Sequence, residues 1–131
     1  MSDSPPSSDR ILELMAQRIE DVGLYSGTDP HHGRGAAVPP TILGAWEWVR
    51  TQTRPDWRTR GDKGLWEQFH AVCFDALHRL ALRVADQPIA PEWWAVGQLA
   101  WESHVVHVWG EFHTAEEAVS AIRSAAEGEG A

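Results

Sequence analysis

Asp29, His31 and His32 fall within four residues of one another, with Ser26, Thr28 and Arg34 beside them, and form the tightest local cluster of ligand-type side chains in the chain. A zinc-like ion needs three or four such groups converging at about 2.0 to 2.3 Å, and two adjacent histidines seldom reach one ion together. No HExxH, CxxC or HxE…CxxC spacing supplies the missing ligands. Asp29, His31 and His32 are therefore weak metal candidates in a solvated loop, and no cofactor is expected. Gly33, Arg34 and Gly35 lack the preceding strand and the Gly-Lys-Ser/Thr ending of a phosphate loop.

His107, Glu111 and His113 have the composition of a two-histidine, one-carboxylate set. Read on a strand rising about 3.4 Å per residue, His107 and Glu111 stand some 13 Å apart and cannot share an ion. His113 then serves the corner that follows. On the longest helical pattern His70 and His78 lie about 12 Å apart along the axis, too far for chelation by the pair, while Asp75 can meet Arg79 one turn on. Cys73 sits inside an apolar stripe, the opposite of the exposed, electropositive setting a nucleophilic thiol needs. No GxSxG supports serine catalysis, so no catalytic residue is assigned.

The pattern with most to offer is binding. Trp46, Trp48, Trp57 and Trp66 interleave with Arg50, Arg54, Arg58, Arg60 and Lys63. Such a run can neutralise phosphates and stack bases, dock on an acidic partner, or form cation–π pairs that glue a connector to its own core. Residues 50–63 carry a net charge of +3, against −4 for residues 1–49 and −7 for residues 64–131. Any contact with nucleic acid or acidic surfaces must pass through that island.

These groups must be positioned by a chain of 131 residues, one domain's worth of material, with a single cysteine and no disulfide. Residues 1–9 read as a disordered lead ending in a cap at Ser8 or Asp9, residues 10–126 as one globular domain, and residues 127–131 as a frayed tail. Ile11, Leu12, Met15, Ile19 and Val22 mark a first helix closed by Gly23. The long Gly- and Pro-rich stretch 23–40 reads as a loop and a candidate site on length alone. Thr41 caps a second helix to about Thr53. Asp62 caps a third over 63–86, whose wide apolar stripe makes it central. Thr114 and Glu117 form a capping box for the last helix.

Between the third and last helices, residues 93–101 and 104–112 alternate as two strands of a hairpin turning at Glu102 and Ser103. That register puts Trp101, Val106, Val108 and Phe112 on one apolar face. The expected fold is α+β and mainly helical, in the order α-α-α-β-β-α, with the hairpin packed on the helices.

The functional expectation is a small, soluble, cytoplasmic accessory or interaction protein, with no catalysis, acting through Trp48, Arg54, Trp57, Arg58, Arg60, Trp94, His107 and Trp109. Eight tryptophans in 131 residues exceed what such a core readily buries with every indole N–H satisfied. The partner is expected to be another protein, with homo-oligomerisation compatible and no membrane contact. Nucleic-acid binding by the Arg50 to Lys63 connector is the alternative, and a metal-dependent enzyme using the Asp29, His31 and His32 loop the third reading. An Arg to Lys ratio of ten to one suits a GC-rich bacterial or phage genome.

Overall fold

The computed structural model describes residues 5–27, 32–33, 39–54, 61–85 and 98–127. Those residues form five helices and no strand: α1 (Ser8–Val22), α2 (Ile42–Thr53), α3 (Lys63–Val84), α4 (Gln98–Glu111) and α5 (Ala115–Ala126).

Local chemistry explains where the helices begin and end. Ser7, one residue ahead of the expected cap, accepts from Arg10 N–H and starts α1. Gly23 ends it at a φ of 91°, a left-handed conformation that a residue with a Cβ adopts only under strain. Thr41 caps α2 by accepting from the Gly44 N–H, and Asp62 caps α3 through Leu65 N–H. Thr114 and Glu117 exchange the two bonds of a capping box at α5.

α3 lies against α1, α4 and α5, and α1 also packs on α2 and α5. Their apolar stripes meet in one core containing Ile11, Leu12, Met15 and Ile19 of α1, Phe69, Leu77 and Leu80 of α3, and Ile122 of α5. Arg79 fastens three segments at once. It reaches Asp9 Oδ1 at 2.6 Å and the Ala125 carbonyl at 2.8 Å. The local Asp75–Arg79 pair is thus displaced by long-range partners, for Asp75 accepts instead from the Ser8 hydroxyl.

The α+β expectation is corrected by α4. Residues 98–111, given to the hairpin with its turn at Glu102 and Ser103, form one uninterrupted helix. The rest of the expected first strand, including Trp94, lies outside the described residues. Trp101, Val105 and Trp109 fall on one row of the helix, and Glu102, Val106 and Gly110 on the next, and both rows face the core or its margin. Apolar residues occupy so much of this segment that alternation and helical spacing both fit it. Packing decides between them. β-branched and aromatic residues disfavour an isolated helix only slightly, and tertiary burial overrides that preference. Gly110 permits the close approach, since a Cβ there would lie 3.1 Å from Ile42 Cδ1 at the start of α2.

Helix and strand predict opposite results for Val106 and Val108, which share a face on a strand and not on a helix. Val106 is fully buried whereas Val108 is 36% exposed. Val106→Asp should cost several kcal/mol, about the penalty of an unpaired buried carboxylate, and Val108→Asp less than about 1 kcal/mol. Comparable losses of melting temperature in both variants would restore the hairpin.

Candidate functional site

The richest chemistry sits between α2 and α3. Trp46 and Arg50 on α2 and Arg54 at its C-cap recur every four residues, and Trp66, His70 and Phe74 do so on α3. Four-residue spacing lines each trio up on one side of its helix. The two rows oppose each other in antiparallel order. Trp46 lies 5.8 Å from Phe74, Arg50 reaches His70 Nδ1 at 3.1 Å, and the Arg54 guanidinium stands 5.7 Å from the Trp66 ring centre.

Arg50 is the middle of this seam. Its guanidinium sits 4.6 Å over Trp46 and 5.3 Å over Phe74, and its Nε is buried without a hydrogen-bond partner among the described residues. A guanidinium only donates, so His70 Nδ1 must accept and the imidazole is neutral with its proton on Nε2. Desolvation, then the charges of Arg50 and Arg54, hold the His70 pKa below its ordinary value of 6.5. Unfolding releases that constraint, so His70 reduces stability as pH falls through 6.5 and below. Trp46 also ties α2 to α3 through its indole N–H, which donates to the Cys73 carbonyl at 2.9 Å.

Neither Arg50 nor Arg54 meets a carboxylate among the described residues. Other arginines behave differently. Arg79 pairs with Asp9, and Arg123 with Glu13 and Glu20. Arg54 is exposed beside the Trp66 ring, and Phe74, at the other end of the seam, is 37% exposed. The arrangement suits recognition of anions by fixed guanidinium edges. It is poorly suited to acid–base or nucleophilic work. His70 is engaged through Nδ1, and burial pushes the Cys73 thiol up to about 11 despite Arg50 beside it.

The remaining sequence candidates are dispersed. Trp48 lies on α2 beneath the guanidinium of Arg18, 3.9 Å from the ring centre, so its cation comes from α1 and not from the connector. Trp109 stacks on His113 at 3.9 Å, and His113 Nδ1 donates to the Trp109 carbonyl. With 98–111 helical, His107 and Glu111 are one turn apart instead of 13 Å, with Nε2 and Oε1 at 2.9 Å. That contact is ionic in distance but lacks hydrogen-bond alignment, since His107 Nε2 counts as unbonded. Gly110, next to Trp109, packs on Ile42, and Arg54 is twelve residues further along α2, about 18 Å at the helical rise. His107 and Trp109 therefore do not join Arg54 in one surface.

Trp57, Arg58, Arg60 and Trp94 lie outside the described residues, as do Asp29 and His31. His32 stacks on Tyr25 at 3.7 Å and contacts the Pro39 carbonyl through Nδ1. Among the described residues, no group of three or more His, Cys, Asp or Glu side chains could hold a metal ion. None of their helices is long and apolar enough to cross a membrane. No protein-family model, curated protein or solved structure matches the chain.

Sequence reasoning missed a second constellation, the buried Glu102 with His78. Glu102 is only 3% exposed, and His78 Nδ1 of α3 lies 2.5 Å from its Oε2. A residue assigned to the hairpin turn is thus a polar link between α3 and α4. The signal was present as a row, since Glu102, Val106 and Gly110 share the four-residue spacing. Removing His78 takes a hydrogen bond from a carboxylate that is almost wholly buried. His78→Ala should destabilise by about 2 kcal/mol, and adding Glu102→Gln should cost less than it does alone, a coupling of about 1 kcal/mol or more in denaturant titrations. Strict additivity of the two losses would show that the pair contributes nothing as a pair.

Proposed function

We propose that this chain is a small, non-catalytic interaction protein of the reducing cytoplasm that captures an acidic polypeptide segment on the α2–α3 seam. One observation carries the reading. In a chain with 19 acidic and 11 basic residues, Arg50 and Arg54 take rings and a neutral histidine as partners while no described carboxylate neutralises them.

The rings hold the guanidiniums in place and leave an edge to bind with. A carboxylate can accept two parallel N–H bonds from such an edge, which gives both energy and direction. Arg58, Arg60 and Lys63 follow in sequence and extend the positive run. The lone cysteine, Cys73, is buried and unpaired, as suits a reducing compartment.

A nucleic acid would use the same face less well. Base stacking needs free ring faces, and here Trp46, Phe74 and Trp66 carry guanidiniums.

Tryptophan fluorescence tests the choice, with polyglutamate and a single-stranded oligothymidine as probes at low salt. Polyglutamate should give a saturable change that Arg54→Glu weakens by about tenfold or more, with little loss of melting temperature. No response to polyglutamate, or an equal response in the variant, would overturn the proposal. A stronger response to oligothymidine would transfer it to nucleic acid.

A further inference from the structure

We infer that the acidic partner is a second copy of this chain, which offers the groove between its α1 and α5 to the seam of the first. The inference rests on the seam reading above and adds the identity of the occupant.

The groove has a volume of about 900 Å³, with Ile19 and Val119 among its apolar lining and Glu20, Glu116 and Glu127 among its acids. Its one lining cation is already committed. Arg123 binds Glu20 through two nitrogens, at 2.8 and 2.7 Å, and also reaches Glu13 at 2.9 Å. Two carboxylates thus share one guanidinium, and the cluster keeps a negative excess. Glu116 and Glu127 have no cation against them among the described residues.

The chain contains a surface of the complementary kind. Residues 50–63 are its one run of net positive charge, and Arg54 presents a guanidinium beside aromatic surface. An apolar floor with acidic walls fits an arginine stem and ring below and a guanidinium edge at the rim. The seam is built by α2 and α3 and the groove by α1 and α5, with no residue in common, so one copy can present both at once. The contact is heterologous: each copy in a head-to-tail pair keeps one free seam or groove, and growth continues with concentration. The mutual repulsion of two chains of charge −8 is screened beyond about 8 Å at physiological salt. Short-range pairing of island with groove survives that screening and is lost at molar salt.

Light scattering on the eluting protein provides the test, with two variants that each spoil one side. Arg54→Glu removes the seam, and Glu116→Lys with Glu127→Lys removes the groove; melting curves establish that both remain folded. Wild type should rise in mass with concentration and return to the single-chain mass in molar salt. Each variant should stay at the single-chain mass. An equal mixture should form a pair of chains and nothing larger, because only one intact seam meets one intact groove. A wild type that remains a single chain while still responding to polyglutamate would overturn the homotypic partner and leave the seam reading intact. Loss of the polyglutamate response as well would remove both. Self-association without pairing in the mixture would place the contact on another face and overturn the inference.

Discussion

α2 and α3 are joined by long and planar side chains that face each other across the seam. Trp46, Arg50 and Arg54 meet Phe74, His70 and Trp66 in turn. The half-buried Arg50 guanidinium needs compensation, and here the ring faces and the His70 nitrogen supply it. The consequence for function follows from what is not used. With cation–π contacts doing the structural work, the carboxylates of the chain are left for other places.

Those places are the helix ends and the α1–α5 side. Asp9 ties α1 to Arg79, Glu13 and Glu20 hold Arg123, and Glu117 closes the α5 capping box. The Thr114 N–H bond keeps the Glu117 carboxyl below the usual carboxylate range, and the Arg123 hydrogen bond does the same for Glu20, so both remain charged. The separation of charge along the sequence thereby becomes a separation in space, with cations over rings on one side and carboxylates around a groove on another. A small helical body of this kind can present two faces of opposite character.

Much of this was legible in the residues themselves. Gly23, Thr41, Asp62, Thr114 and Glu117 announce helix ends through chemistry that is local, and the stripes of α1, α3 and α5 repeat long enough to fix one period. Residues 98–111 were not legible because apolar side chains lie on nearly every side of α4, so alternation and helical spacing describe them equally well. What selects the helix is tertiary: Glu102 finds His78, and Gly110 admits Ile42. The interleaving of Arg and Trp was visible, but not which ring would receive which cation. Arg18, far away in sequence, takes Trp48, while Arg50 turns to Trp46 and Phe74. Local spacing gives the rows, and only the packing of α2 on α3 gives their register.

Proton titration of His70 by NMR, assigned with His70→Gln, reports most directly on the seam's central feature, a neutral imidazole facing guanidiniums that no described carboxylate offsets. The midpoint should lie below the ordinary 6.5, displaced first by burial and then by Arg50 and Arg54, and Arg54→Gln should move it upward. A midpoint at or above 6.5 that ignores the loss of Arg54 would mean that the cations are neutralised in solution, and the account of the seam would be contradicted.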